Sequence, residues 1–310
     1  MTHYSKFAGY IKGKKTVKIF PMSSVYPSEV IVQKLSRAVR DAGVFLPEDV
    51  KHALRKAYEQ QLQDAPDSLG ASVFEHILQN IKDAETHRLP ICQDTGMAVV
   101  FAEQGIEGYV SRDIESVIHK ALAQAVKEGN FRPSVVEDPV FTRKNTMTGL
   151  PAVIHYSRIP GDVLRISGLL KGFGSENCSA VSMLNPTAGE QGVIGAVLEA
   201  VKKAGGKPCP PVIIGVGIGG TADSAPILAK RALLRETGSA HPDQRYAELE
   251  RTILDQVNRL GIGPGGLGGD TTALAVMIEH AHTHIAGLPV AVNISCWADR
   301  NFCVEIAVNE

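Results

Sequence analysis

The chain has 310 residues, 44% of them hydrophobic, and sets 32 Lys and Arg against 33 Asp and Glu for a formal net charge of −1. This is a globular composition rather than a disordered one, and without a long basic block it lacks the electrostatic footprint of a nucleic-acid binder. No apolar run reaches the roughly 18–20 residues of a membrane span, so neither a nucleic acid nor a membrane is an expected partner. The opening "MTHYSKFAGYIKGKKTVKIF" is basic but has neither an apolar stretch nor a small-residue cleavage site, unlike a secretory signal. A cytoplasmic protein is expected.

From Pro27 to about Lys82 the apolar residues recur three and four apart in "SEVIVQKLSRAVRDAG", "LPEDVKHALRKAYEQQLQDA" and "LGASVFEHILQNIKDAETHR". That spacing predicts three helices, an N-terminal helical lobe over residues 1–85. After "LPICQDTG" the run "MAVVFAEQG" reads as a strand, and "SRDIESVIHKALAQAVKEG" as an amphipathic helix with Ser111 at its N-cap. "PAVIHYSRI" and "DVLRISGLL" flank the turn signal "PGD", which predicts an antiparallel hairpin. Helix spacing returns in "EQGVIGAVLEAVKKAGG" and again over residues 225–235 and 244–260, followed by the glycine cluster "GIGPGGLGGD" and the apolar runs "TTALAVMIEHAH" and "GLPVAVNISC". No repeat period and no linker divides the chain. The expected fold is α+β, with the helical lobe packed on a mixed α/β domain of residues 86–310, the two forming one continuous unit.

Two features between residues 207 and 234 compete. Gly215, Gly217 and Gly220 satisfy G-x-G-x-x-G after an apolar strand and before a helix, the order of a dinucleotide fingerprint. The second strand that should end in a ribose-holding acid is missing, because Glu236 closes a helical run instead. Just upstream, Cys209 stands between prolines. Prolines beside a cluster-binding cysteine are familiar, and a small buried hydrophobe is the ordinary fate of a free thiol. The five cysteines are odd in number, scattered and form no CxxC pair, so they do not build a disulfide framework or a local zinc knuckle. A metal site would have to be assembled from distant segments.

Four blocks, "PICQDTG" (residues 90–96), "KGFGSEN" (171–177), "CPPVIIGVGIGGTADSA" (209–225) and "GLPVAVNISCWADR" (287–300), resemble the class I fumarate hydratase and L-tartrate dehydratase family, specifically its α subunit. The resemblance spans roughly residues 20–308. It implies a [4Fe-4S] cluster held by Cys92, Cys209 and Cys296, with the fourth iron open to substrate. Cys178 and Cys303 match no ligand position and read as packing residues, Cys178 close to the site.

The resemblance further implies that Gln93 and Asp94 contact a small dicarboxylate, Asp94 sharing in proton handling. Arg132 in "NFRPSVVEDP" matches an arginine that binds a substrate carboxylate, a job suited to a planar two-pronged donor. Gly172, Gly174 and Ser175 would give close backbone approach and hydrogen bonds, and His284 in "HTHIAGLPVAV" matches an active-site histidine. His280 and His282 alternate with His284 in the manner of a metal triad. Such chemistry needs a Lewis acid on the departing hydroxyl and a base for the neighbouring proton.

This chain reads "NTMTGLPA" where the family often has "NTGDNTPA", and "GFGSEN" for "GGGSEN"; both departures lie on the expected substrate side. The "GSEN" block favours reversible hydration of fumarate to (S)-malate, with L-tartrate dehydratase or mesaconate hydratase as the alternative. Single-chain relatives carry a further C-terminal domain that supplies a catalytic threonine and additional arginine and lysine contacts. No such domain fits in the ten residues after Arg300, so a separate β subunit and a higher αβ oligomer are expected.

Overall fold

Local spacing becomes structure element by element in the computed structural model, which describes residues 25–110 and 112–308. The basic N-terminal stretch and Ser111 lie outside the described residues. A two-residue strand β1 (Val25–Tyr26) leads into α1 (Ser28–Val44), α2 (Glu48–Asp64) and α3 (Leu69–His87). Pro27 and Pro47 hold the N-cap positions of α1 and α2, where a missing N–H costs no helical bond. The Ser68 hydroxyl caps α3 by accepting from the Ala71 amide at 3.2 Å.

Then follow β2 (Met97–Gly105), β3 (Tyr109–Val110) and α4 (Ile114–Glu128). The α4 cap is Asp113, whose carboxylate accepts from the Ser116 amide at 2.9 Å. The chain continues through β4 (Val153–Ile159), β5 (Val163–Lys171), the one-turn α5 (Phe173–Glu176), β6 (Ala180–Leu184) and α6 (Gly189–Ala204). It ends with β7 (Val212–Gly220), α7 (Ser224–Ala232), α8 (Gln244–Asn258), β8 (Ala273–Thr283), β9 (Leu288–Ser295) and β10 (Asn301–Ala307). The fold is α+β. Among the described residues no helix is long and apolar enough to cross a membrane.

Two four-stranded sheets carry the fold, in the orders β10-β5-β2-β4 and β6-β9-β7-β8. The expected hairpin of β4 and β5 does not form. Both strands exist, but β2 lies between them, parallel to β4 and antiparallel to β5. The reason is apolarity on both faces. Ala98, Val100 and Ala102 of β2 enter one core while Val99 and Phe101 enter another, so β2 takes an interior position. The β4 strand is half-exposed along its length and remains at the edge. The "PGD" turn therefore passes over the end of β2, where the Ile106 and Glu107 amides donate to the Ile159 and Gly161 carbonyls.

Helices cover both sheets. One core joins α1 and α4 to the first sheet, through residues such as Leu35, Ile118, Ile166 and Ile306. A middle core holds Leu54, Phe74, Phe101, Ile213, Leu233 and Met277, so α2, α3 and the end of α7 sit between the sheets. A third joins α6 and α8 to the second sheet through Val197, Ile214, Ile253 and Val292. The N-terminal helices thus share their cores with the strands.

The glycine string is part of this packing. Gly215 and Gly217 lie inside β7, and a Cβ on either would collide with the α7 backbone, at Ala229 and Ala225 respectively. In a dinucleotide fingerprint the glycines form the turn that faces the pyrophosphate. Here two of the three let a helix lie against a strand, and β8, the strand parallel to β7, begins only at Ala273.

Candidate active site

Strand register gathers four separated blocks at one place. Met97 at the start of β2 pairs with Lys171 at the end of β5, which sets the loop "CQDTG" beside the loop "GFGSEN". The Leu170 amide donates to the Arg300 carbonyl at 3.0 Å, bringing in the start of β10. In the second sheet Ile213, at the start of β7, pairs with Ser295, at the end of β9. Cys209 and Cys296 therefore leave the same end of that sheet. The Cys92 loop is anchored from outside by the Ile91 amide to Gly43 and by Asn80 Nδ2 to the Ile91 carbonyl, both at 2.9 Å.

Cys92 and Cys296 border the middle core and are half-buried, whereas Cys209 is exposed. The Cys209 backbone is left-handed, with φ 55, an uncommon state for a residue with a side chain. The Pro210 carbonyl accepts from the Gly265 amide at 2.8 Å, so the "GPGG" loop supports this turn. Although the residue is exposed overall, partial burial of its sulfur raises the Cys209 thiol above its ordinary value, and the neighbouring Cys92 and Cys178 raise it further. Cys296 is also raised by burial, against the opposing charges of Arg300 and Lys171. Cys178 donates to the Gly174 carbonyl at 3.4 Å. Cys303 lies apart, exposed on β10 opposite Ser167. Among the described residues no three His, Cys, Asp or Glu side chains converge on a point where they could hold one metal ion.

Asp94 stands among these segments. Its Oδ1 accepts from the Gly96 amide at 3.1 Å and its Oδ2 from the Phe173 amide at 2.8 Å. Its carbonyl accepts from Arg300 Nη1 at 2.8 Å. Below, the buried Lys171 donates to Ser175 Oγ at 2.7 Å and to the Ile294 carbonyl at 2.6 Å, with Glu176 Oε2 at 3.6 Å. Burial lowers the Lys171 ammonium pKa, an effect that Glu176 and Cys296 partly offset. Glu176 is bonded by Lys230 and, at 2.9 Å, by Asn293. Burial alone would raise its carboxyl, but those bonds and the two lysine charges hold it below the ordinary carboxylate range. Deeper still, burial pushes the Asp299 carboxyl up to about 6 despite bonds from Ser295 and Asn301.

The residues expected from sequence divide accordingly. Cys92, Gln93, Asp94, Gly172, Gly174, Cys209 and Cys296 share this region, with Gln93 and Gly174 exposed. The exposed Arg132 adjoins it, because Thr95 Oγ1 donates to the Arg132 carbonyl at 3.0 Å. Ser175 is present, but its hydroxyl donates inward to the Gly172 carbonyl while accepting from Lys171.

His284 is elsewhere. It sits in the turn between β8 and β9, at the end of β9 opposite to Cys296, and the eight residues of β9 separate the two by roughly 23 Å at the usual strand rise. That turn is solvent-exposed, Ile285 at 91%. His280 stacks on Tyr246 at 4.3 Å with His241 close by, a packing arrangement. Sequence reasoning passed over Lys171, Glu176, Lys230, Asn293 and Arg300. The available signal was a charged or polar residue set inside a glycine or apolar run, as in "KGFGSEN" and "VNISCWADR".

Comparison with known proteins places the chain in a family. Residues 32–305 match the family described as fumarate hydratase (Fumerase). A chain of Methanocaldococcus jannaschii, provisionally named L(+)-tartrate dehydratase subunit alpha, is 43% identical over 290 residues, 91% of this chain and 98% of that one. The L(+)-tartrate dehydratase subunit alpha of Escherichia coli K12 is 35% identical over 259 residues, 82% of this chain and 84% of the relative.

Proposed function

The chain belongs to the fumarate hydratase (Fumerase) family, and on that premise we propose that it is the α subunit of an iron–sulfur hydro-lyase interconverting fumarate and (S)-malate. The observation that carries the reading is the convergence of the three cysteine-bearing segments on one end of the fold, with Asp94 among them. Cys92, Cys209 and Cys296 would hold a [4Fe-4S] cluster. Their chemistry suits it: thiolates are the ligands of such a cluster, and since burial and the neighbouring Cys92 and Cys178 raise the Cys209 thiol, binding iron there would release its proton. Bound there, the cluster would supply a Lewis acid for the departing hydroxyl.

The chain's own groups do the rest. Two backbone amides orient the Asp94 carboxylate and leave it lone pairs with which to hold a substrate hydroxyl or a proton. Gly172 keeps a bare Cα beside Asp94 Oδ2, where substrate can approach the backbone. The exposed Arg132 offers a guanidinium suited to a carboxylate. Through Asn293, the Glu176–Lys230 pair braces the end of β9 that leads to Cys296. A reducing cytoplasm suits five free thiols.

Dehydration of L-tartrate is the second reading, favoured by the names of the relatives. Both substrates are four-carbon 2-hydroxy diacids that lose water across the same pair of carbons. After anaerobic reconstitution with iron and sulfide, the protein is expected to give a four-iron spectrum that shifts on adding malate, fumarate or tartrate. Relative turnover of these diacids by the αβ enzyme ranks the two readings. No bound iron would refute both.

Names of relatives as α subunits and the exposure of Arg132, Phe173 and Cys209 on one face support a β subunit that completes the site. The reconstituted chain alone is expected to bind iron yet show no turnover above background, and co-expression with its β partner to restore it. Full turnover by the lone chain would refute the two-subunit reading. A catalytic role for His284 would require its exposed turn to reach a site on another copy in the αβ oligomer.

A further inference from the structure

Arg300 is the largest of the fully buried side chains among the described residues, at 1% exposure, yet its bonding is sparse. Nη1 donates to the Asp94 carbonyl, and among the described residues Nε is buried with no partner and no carboxylate lies within ion-pair distance. A buried guanidinium is costly unless its charge and its donors are used. The Cys296 thiol and the Asp299 carboxyl, both raised by burial, lie near enough for its charge to favour their ionised forms. A Cβ placed on Gly172 would stand 3.5 Å from Arg300 Nη2 and 3.3 Å from Asp94 Oδ2. The guanidinium and the Asp94 carboxylate therefore border the same bare Cα, and the Arg300 carbonyl is itself held by the Leu170 amide.

One side chain thus ties the Asp94 loop, two residues from Cys92, to the turn that follows Cys296, and β5 holds its backbone in place. We propose that Arg300 is a positioning residue, setting the separation of Cys92 from Cys296 and the aim of the Asp94 carboxylate. The consequence for cluster retention and turnover rests on the reading of the site as an iron–sulfur hydro-lyase. The consequence for the Asp94 loop does not.

Arg300→Lys and Arg300→Met in the αβ enzyme test this. Lysine keeps a cation but not the planar fork. In the lysine variant kcat is expected to fall roughly tenfold or more with KM changed less than about threefold, and iron to be lost to a ferrous chelator roughly tenfold faster, the scale of residues that orient metal ligands. In the cluster-free α chain, hydrogen exchange at the Gly96 and Phe173 amides, both bonded to the Asp94 carboxylate, is expected to accelerate while β7 and β9 stay protected. The methionine variant should show the same changes, larger.

A lysine variant that matches the wild type in kcat, iron loss and exchange overturns the proposal. So does a uniform rise in exchange across the fold with kcat per cluster unchanged, or failure of both variants to fold, since the residue would then serve stability alone. Should the wild-type protein bind no iron, the functional reading fails, and the exchange of Gly96 and Phe173 still decides the role of Arg300.

Discussion

Cys209→Ser is expected to remove the cluster and all measurable turnover from the αβ enzyme, while Cys303→Ser leaves both intact. Cys209 is the exposed member of the proposed ligand set and sits in a left-handed turn, so its Sγ direction is set by strained backbone rather than by packing. A serine hydroxyl there ionises far less readily than a thiol and is a poor soft ligand for iron. Cys178 already influences Cys209 but follows a different turn, and its thiol is bonded to the Gly174 carbonyl. Iron per chain, the absorption of the reconstituted protein and turnover of malate are measured together. A fully active Cys209→Ser enzyme would refute the ligand set, and loss of iron in Cys303→Ser would mean that the cluster lies elsewhere.

Gly217→Ala is the second large effect, and it falls on stability. The added Cβ would overlap the Ala225 carbonyl oxygen and stand 2.6 Å from the Ala229 amide nitrogen, both backbone atoms of α7. No rotamer change relieves such a clash, so α7 must move away and loosen the small core of Ala225, Ala229 and Ala291 as well as the contacts of Leu233 in the middle core. Overpacking of a rigid core costs about 1–3 kcal/mol, and a clash with backbone lies at or beyond the upper end of that range.

Gly195→Ala is the contrast. That glycine lies in the exposed interior of α6 with nothing within 4 Å of an added Cβ, and alanine there should add about 0.5–1 kcal/mol. Urea unfolding midpoints of both variants decide the matter. A Gly217→Ala chain of wild-type stability would contradict the packing role of β7 and reopen the glycines as a ligand loop.

The elements read correctly from sequence are those with a local cause. Residues three and four apart in α1, α2, α3, α6 and α8 report a buried stripe whatever that stripe packs against. The error at β4 and β5 has the opposite character. The turn "PGD" and its two flanking strands are real, but which strand each pairs with was decided by β2, far upstream, because β2 is apolar on both faces whereas β4 is half-exposed along its length. Competition for an interior place in a sheet is not written in the turn. The G-x-G-x-x-G pattern misleads for a related reason: the same residue type serves a phosphate loop and a close helix–strand contact, and only the position of α7 tells them apart.

By itself the sequence determined the longer helices and several of the strands, the α+β class, the family resemblance and the cysteines, glycines and Asp94 on which the proposed chemistry rests. These are recognisable one residue or one block at a time. The tertiary structure decided that Lys171 and Arg300 are buried, that Ser175 turns inward, and that His284 belongs to the far end of its sheet. A buried cation looks in sequence like any surface lysine or arginine. What makes Lys171 and Arg300 different is a carbonyl acceptor 123 residues away in one case and 206 in the other, and only folding brings such partners together.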